Sequence, residues 1–204
     1  MVYRLISLAG FALIVWALPR IAKQIGGDPA LALWLGAANP VMLLHLIGGM
    51  HNEAVMVGLV SVGLLWCLRS RWCTPGIALI ALAVSLKATA AVALPFVVWL
   101  MVKRRSATTL GAAGMLAVCG AWALAVNVAV IQLVTWASGT TWGWLEEITG
   151  NSKVINPLAG PTLAAELITP VLQLFDDTFR YNTALTWTRT IFSALMLVGL
   201  AVVW

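Results

Sequence analysis

The sequence predicts an all-α protein, a polytopic transmembrane helical bundle with about six hydrophobic segments. Hydrophobic residues make up 62% of the chain and charged residues 9%, whereas a soluble domain has about 25% charged residues. The apolar runs are roughly as long as membrane helices, about 17–25 residues, and lack the alternating pattern of a transmembrane barrel. Short basic clusters between these runs follow the positive-inside pattern of cytoplasmic loops. The net charge of +5 therefore does not indicate a nucleic-acid partner.

The first hydrophobic segment covers residues 5–18, and Pro19 is expected to end its helix because proline removes a backbone donor. Arg20 lies just beyond it and places this end in the cytoplasm. Asp28 and Pro29 follow in a glycine-containing turn. Their order predicts an N-cap and a first helical residue, so a second helix begins here.

Residues 39–53 place two histidines, an asparagine and a glutamate inside an otherwise apolar region. Pro40 predicts a kink in the second segment. Asn52 is expected to cap the next helix, 54–68, with Glu53 at the positive end of its dipole. An ionisable side chain at membrane depth costs about 2.5–3.5 kcal/mol on insertion scales. Polar residues in this region are therefore candidates for function.

Two interpretations remain open for His51, Asn52 and Glu53. They can form a helix cap at the membrane interface, or they can bind the polar head group of a substrate at the mouth of the bundle. For His45 the favoured interpretation is a structural hydrogen bond to a neighbouring carbonyl, with substrate binding as the alternative.

The run 75–102 is compatible with two topologies. One long helix would carry Lys87 at its centre and place the basic triplet 103–105 outside. A short re-entrant hairpin of two helices, 75–86 and 88–102, keeps the triplet inside and is preferred, although a helix of eleven or twelve residues reaches only about 18 Å. The hairpin places Lys87 at its tip, on the same outer side as the polar cluster. There the ammonium either snorkels to the interface or pairs with an anion such as a lipid phosphate.

Residues 110–133 predict a spanning helix whose alanines recur every fourth residue and form a smooth stripe for close helix packing. The region 134–186 is predicted to be an outer loop containing an amphipathic surface helix at 162–175. Trp144 in this loop belongs either to the interfacial aromatic belt or to a sugar-stacking site. Apolar residues from 191 onward begin a final span. We treat 1–204 as a single transmembrane domain.

Nucleotide and metal chemistry have no sequence support. The chain has no P-loop, no dinucleotide fingerprint and no zinc-protease motif. The three cysteines, Cys67, Cys73 and Cys119, contain no CxxC pair and are interpreted as packing residues. No cofactor, metal ligand or disulfide is therefore predicted.

Three stretches then carry a family resemblance: HLIGGMHNEAVMVGL (45–59), LKATAAVALPFVVWL (86–100) and GWLEEITGNSKVINPLAGPT (143–162). In this order they resemble the actinobacterial polyprenol-phosphomannose-dependent α-(1→6)-mannopyranosyltransferases, the MptB-like branch of the GT-C superfamily in particular. The resemblance covers nearly the whole chain. It implies a multi-pass plasma-membrane enzyme with an extracytoplasmic active face. Such an enzyme moves mannose from polyprenyl-phosphate mannose to a growing α-(1→6)-mannan on a phosphatidylinositol mannoside, toward lipomannan and lipoarabinomannan of the cell envelope.

The resemblance also implies roles for the polar residues. Transfer from a lipid phosphate needs a cation near the leaving phosphate, for which Lys87 is the candidate, and polar groups that orient the sugar. It also needs a base for the acceptor hydroxyl. The family has an essential acid in its first outer loop, and this chain has no matching loop, so the base is unassigned and Glu53 is a disfavoured candidate. The predicted substrate-binding residues are His45, His51, Asn52, Glu53, Lys87 and Trp144.

We therefore expect a central fragment of a longer mannosyltransferase, and the resemblance assigns no activity to the fragment alone. The alternative from another class is a transporter or flippase subunit for a lipid-linked or polar solute. Transporters usually show paired broken helices in two repeated halves, whereas this chain has one broken region. A non-catalytic membrane scaffold is a third interpretation.

Overall fold

The computed structural model describes residues 2–48, 52–105, 111–142 and 159–203, and every element within these ranges is helical. The chain divides into two compact units, 1–142 and 143–204, which are described separately. Among the described residues, three helices are long and apolar enough to cross a membrane: Tyr3–Gln24, Ala112–Ala137 and Tyr181–Val202. Shorter apolar helices accompany them. The predicted all-α membrane architecture is confirmed.

The first helix, α1 (Val2–Gln24), continues through Pro19, so the prediction that Pro19 ends it is wrong. A proline inside a helix leaves one carbonyl without its usual N–H partner, and the helix survives where other groups compensate. The carbonyl concerned is that of Val15, four residues before Pro19. Arg20 contacts the adjacent residue instead. Its Nη1 atom donates to the carbonyl of Trp16 at 2.6 Å, and its guanidinium lies 4.5 Å from the centre of the Trp16 ring.

The second apolar segment is broken into three short pieces: α2 (Pro29–Gly36), α3 (Pro40–Leu43) and a π-helical turn (Leu44–Gly48). Asp28 caps α2 as predicted, and its Oδ1 accepts two backbone N–H groups of the first turn at 2.7 and 3.2 Å. Asn39 caps α3 in the same way, accepting from the N–H of Val41 at 2.9 Å. The kink predicted at Pro40 is therefore a complete break with its own cap.

The next three helices run back and forth: α4 (Glu53–Cys67), α5 (Cys73–Leu86) and α6 (Ala93–Arg105). A 3₁₀ turn joins α4 to α5. Lys87, in an extended conformation, and a second 3₁₀ turn (Ala88–Val92) join α5 to α6. The preferred hairpin is therefore confirmed, and a single helix over 75–102 is excluded.

Arg104 fixes the end of α6 against the end of α4. Its Nη1 and Nη2 atoms donate to the carbonyls of Cys67 and Leu68 at 2.6 and 2.5 Å. The last carbonyls of a helix have no N–H partner within it, and a cation also suits the negative end of the helix dipole. The basic ends of α4 and α6 consequently lie together, as the charge pattern predicts.

The core of the first unit forms where α4, α5, α6 and α7 (Ala112–Ala137) meet. Its buried residues are Cys67, Cys73, Ile77, Ile80, Val97, Val98, Met101, Val102, Met115, Cys119 and Ala123. All three cysteines are buried and belong to this cluster. Their interpretation as packing residues is confirmed.

The packed face of α7 is not the predicted one. The alanine stripe Ala113, Ala117, Ala121, Ala125 and Ala129 is exposed in the first unit. The buried residues are instead Met115, Cys119, Ala123 and Asn127, which also recur every fourth position. Positions two residues apart lie about 200° apart around a helix, so the two stripes are on opposite faces. The buried face is the one that meets the core residues of α5 and α6.

Helices α1 and α4 approach each other closely at two glycines. A Cβ atom added at Gly10 would lie 2.5 Å from the nitrogen of Val55, and one added at Gly58 would lie 2.6 Å from the carbonyl oxygen of Gly10. Small residues allow such close backbone approach in membrane bundles. Ile14, Leu46 and Ala54 form a buried cluster in the same region.

In the second unit, α8 (Gly160–Gln173) packs antiparallel to α9 (Tyr181–Val203). Near the turn, Nε2 of Gln173 donates to the carbonyl of Phe179 at 3.1 Å, and at the other end a Cβ added at Gly160 would lie 2.7 Å from the ring of Phe192. The buried face of α8 is small and polar: Thr162, Ala165 and Thr169. Its exposed apolar face contains Leu163, Leu167, Ile168, Val171, Leu174 and Phe175. The predicted amphipathic helix is confirmed, and its position on a membrane surface stays a prediction.

Candidate functional site

An ion pair joins two of the predicted substrate-binding residues. The Nζ atom of Lys87 lies 2.6 Å from Oε1 of Glu53, and the two residues are 34 positions apart in the chain. They meet because α5 starts beside the end of α4 and runs back along it, so that its end returns to the beginning of α4. The predicted proximity of the hairpin tip to the polar cluster is confirmed for this pair.

The backbone holds both charges at favourable helix ends. Lys87 follows the last residue of α5 in an extended conformation, with φ −159° and ψ 123°. Its own N–H donates to the carbonyl of Ala83 at 3.0 Å. Glu53 lies in the first turn of α4. A cation at the C-terminal end of one helix and an anion at the N-terminal end of another are each stabilised by the helix dipole.

The pair is accessible from one side. The side chain of Lys87 is 49% exposed and that of Glu53 is 22% exposed. An ammonium carries three hydrogen-bond donors, and the contact with Glu53 uses one of them. Lys87 can therefore bind an incoming anion without first leaving a buried position.

A second contact holds the hairpin tip against α4. The hydroxyl of Thr89, in the 3₁₀ turn after Lys87, lies 3.6 Å from the sulfur of Met56 in the first turns of α4. Asn52 occupies the N-cap position of this helix as predicted, and its carbonyl accepts from the N–H of Met56 at 3.0 Å, but its side chain makes no capping hydrogen bond. A capping side chain requires an extended backbone, whereas Asn52 has φ −73° and ψ −4°. Its side chain is exposed.

The other predicted site residues are His45, His51 and Trp144. The backbone of His45 lies in the π-helical turn Leu44–Gly48, and its side chain is not among the described side chains. His51 and Trp144 lie outside the described residues. Within the described ranges, no three His, Cys, Asp or Glu side chains come together as metal ligands.

A cavity of about 540 Å³ lies between α1 and the broken second segment. Its lining is entirely apolar and consists of Phe11, Val15, Ala30, Leu33, Trp34, Ala37, Ala38 and Leu43. These residues were not predicted from the sequence, because each is an apolar residue within an apolar segment. The sequence signal for this cavity was the predicted interruption at Pro40, because a break in the second segment can leave space beside α1.

Comparisons with known proteins identify relatives over the whole chain. A family model described as the N-terminal domain of alpha-(1->6)-mannopyranosyltransferase matches residues 1–103. Alpha-(1->6)-mannopyranosyltransferase A of Corynebacterium glutamicum is 50% identical over 99% of this chain and 43% of its own length. The protein of the same name from Mycobacterium tuberculosis is 38% identical over 100% of this chain and 39% of its own length.

Alpha-(1->6)-mannopyranosyltransferase B of Corynebacterium glutamicum is 29% identical over 70% of this chain and 26% of its own length. The chain therefore spans about two fifths of the length of the two type A relatives. No solved structure matches it.

Proposed function

This chain belongs to the family of alpha-(1->6)-mannopyranosyltransferases A and B, and we propose on this basis that it is part of an enzyme that transfers mannose. The proposed donor is polyprenyl-phosphate mannose, and the proposed acceptor is a growing α-(1→6)-mannan on a phosphatidylinositol mannoside. The proposed location is the plasma membrane, with the active face extracytoplasmic. The basic clusters at one end of the bundle support this orientation, because cytoplasmic loops are enriched in Lys and Arg.

The accessible Lys87–Glu53 pair is the observation that carries the proposal. When mannose leaves a lipid phosphate, negative charge grows on the phosphate oxygen that loses the sugar. A cation placed before the reaction stabilises that charge in the transition state. Lys87 offers such a cation at the end of the bundle opposite the Arg104 contacts, and its half-exposed side chain is open to a lipid phosphate.

Glu53 has a different role in this proposal. One of its carboxylate oxygens contacts Lys87 at 2.6 Å, so that oxygen is already occupied by a cation. We assign Glu53 to holding Lys87 in position and to hydrogen bonding with the sugar, together with the exposed amide of Asn52. His45, His51 and Trp144 complete the proposed substrate-binding set. The general base remains unassigned.

The second unit contributes a surface helix in this proposal. Helix α8 exposes an apolar face that includes Leu167 and Val171, and the exposed Leu174 and Phe175 follow directly after it. An amphipathic helix of this kind lies in the plane of a membrane interface with its apolar face toward the acyl chains. We propose this position for α8, within the outer region 134–186, which begins inside the last turn of α7.

The test uses membranes from cells that express the complete reading frame containing this chain. Radiolabelled polyprenyl-phosphate mannose and a mannoside acceptor are added, and label in the acceptor is counted. We expect the wild type to transfer label and the matched control Arg71→Ala to retain this transfer. In Lys87→Ala the transfer rate should fall about 10²–10³-fold, by analogy with the loss of one transition-state charge contact. Absence of transfer by the wild type would overturn the proposal, and donor translocation without transfer would favour the transporter alternative.

A further inference from the structure

Basic side chains from three helix ends lie together at one end of the first unit. We call this set the basic end; it consists of Arg20 and Lys23 near the end of α1, Arg69 after α4, and Arg104 in the last turn of α6. Ile21 of α1 and Trp66 of α4 pack against one buried cluster between these two helices. Arg104 donates to the last carbonyls of α4. The ends of α1 and α6 therefore both lie beside the end of α4.

The acidic residues of this part of the chain are few and already engaged. Between positions 1 and 142 the sequence contains only Asp28 and Glu53 as acids. Glu53 is paired with Lys87 at the opposite end of α4, and Asp28 accepts two backbone N–H groups as the cap of α2. The positive charge of the basic end is therefore available to an anion from outside the chain.

Two of the four cations are held in place by the protein itself. The guanidinium of Arg20 lies over the Trp16 ring and donates to the Trp16 carbonyl, and that of Arg104 donates to the carbonyls of Cys67 and Leu68. A guanidinium has five N–H donors, and these contacts use one donor of Arg20 and two of Arg104. Arginine binds phosphate oxygens in a bidentate manner, and a side chain that is already positioned loses less conformational freedom on binding.

The depth of the basic end matches that of lipid head groups. Helix α1 is long and apolar enough to cross a membrane, and Arg20 and Lys23 lie in its last five residues. Trp72, in the turn after α4, is 41% exposed, and its ring lies 5.8 Å from that of Trp66. Tryptophan is enriched where a membrane meets water. The anions found at this depth are the phosphates of phospholipids.

We propose that the basic end binds the head groups of anionic phospholipids through their phosphates, and that the bound lipid stabilises the packing of α1 and α6 on α4. This inference goes beyond mannose transfer, because it concerns the end of the bundle opposite the Lys87–Glu53 pair and does not depend on the donor. Each Lys or Arg near a membrane surface strengthens the attraction to anionic lipid about fivefold. A zwitterionic lipid gains less, because its own cation offsets the charge of its phosphate.

The experiment measures lipid binding by native mass spectrometry. The protein encoded by the complete reading frame is purified in a neutral detergent and titrated with phosphatidylglycerol or with phosphatidylcholine. The double variant Lys23→Gln/Arg69→Gln removes two exposed cations of the basic end, and the control Arg4→Gln/Arg180→Gln removes the same charge from exposed residues outside it. We expect the wild type and the control to prefer phosphatidylglycerol, and its binding to weaken about 10- to 30-fold in the double variant.

Thermal unfolding of the same samples provides the second readout. Without anionic lipid, the three proteins should unfold at similar temperatures, which shows that the exposed substitutions leave the fold intact. Phosphatidylglycerol should raise the midpoint of the wild type and the control but not of the double variant, because a ligand that binds the folded state stabilises it. Equal binding of the two lipids, an equal loss in the control, or unchanged phosphatidylglycerol binding in the double variant would overturn the proposal. Full displacement of the lipid by a polyglutamate peptide would also overturn it, in favour of an acidic protein partner.

Discussion

Lys87 and Glu53 form an ion pair at 2.6 Å across 34 residues of sequence, and each charge lies at the helix end whose dipole stabilises it. With the Lys87 side chain 49% exposed, solvent screens the attraction. An exposed pair of this kind contributes about 0–1 kcal/mol to stability. The position of the pair is thus explained better by a ligand-binding role than by a need for structural stabilisation.

The first prediction separates binding from stability. Glu53→Gln should change the unfolding free energy by no more than about 1 kcal/mol, because water replaces the lost contact. Donor use should change about 10-fold or more, since Lys87 loses its positioning partner. Thermal unfolding in detergent and donor KM are the two measurements. A double-mutant cycle with Lys87→Ala should give a coupling of about 0.5–3 kcal/mol in donor binding, and additive effects would contradict the paired role.

The second prediction concerns the contact between α6 and α4. Arg104→Ala removes two charge-assisted hydrogen bonds to the carbonyls of Cys67 and Leu68 and should lower the unfolding free energy by about 2–3 kcal/mol. Arg104→Lys should restore only part of this free energy, because an ammonium keeps the charge but cannot reproduce the bidentate geometry. The control is Arg105→Ala, which removes a neighbouring exposed charge. An equal loss in the control would show that charge alone, without the hydrogen bonds, stabilises this end.

The third prediction concerns orientation in the membrane. Single cysteines replace the exposed residues Ala88, beside the hairpin tip, and Arg105, at the opposite end of α6. A membrane-impermeant maleimide added to intact cells should label position 88 and leave position 105 unlabelled until the membrane is opened. The native cysteines are buried and provide the background control. The reverse pattern would mean that the active face is cytoplasmic.

The fourth prediction concerns the close approach of α1 and α4. Gly10→Ala would place a Cβ atom 2.5 Å from a backbone nitrogen of α4, and overpacking of this kind costs about 1–3 kcal/mol. The matched control is Gly120→Ala in α7, where an added Cβ meets nothing within 4 Å. This substitution should leave the free energy of unfolding unchanged or raise it by up to about 1 kcal/mol. Thermal unfolding in detergent compares the two. Equal effects would contradict the packing described for α1 and α4.

The fifth prediction concerns Asp176, in the turn between α8 and α9. The hydroxyl and the N–H of Thr178 donate to its carboxylate at 2.6 and 2.9 Å and lower the pKa of Asp176 below its usual value of 3.8. Because the folded-state pKa is lowered, this contribution to stability is present above pH 3.8 and is lost as the pH falls through the folded value. The carboxyl carbon NMR shift should titrate below 3.8 in the wild type and move upward in Thr178→Val. An unchanged midpoint in the variant would rule out this cause.

Local chemistry was sufficient for much of the fold. Hydropathy and the low charge content predicted a helical membrane protein, and the order Asp28-Pro29 predicted a capped helix start that the structure contains. The positive-inside rule selected the hairpin over one long helix. Each of these predictions depends either on residues that are adjacent in the chain or on the side of the membrane where a charge lies. Both kinds of information can be derived from the sequence.

Three local predictions were wrong in whole or in part. Pro19 lies inside α1, which continues to Gln24, because transmembrane helices tolerate a proline. Asn52 stands at the N-cap of α4, but its side chain makes no capping hydrogen bond, because its backbone is helical. The buried stripe of α7 contains Met115 rather than the alanines, because this is the face that meets the core residues of α5 and α6.

The sequence by itself determined the class of the protein, the broad placement of its helices and the presence of isolated charges that need partners. Only the tertiary structure decided which charges meet and where an apolar space remains. Lys87 reaches Glu53 because α5 reverses direction after α4, and the cavity exists because a break at Asn39 leaves α2 and α3 incompletely packed on α1. Helical periodicity specifies which residues share a face, but it does not specify which neighbouring helix that face will contact or how closely.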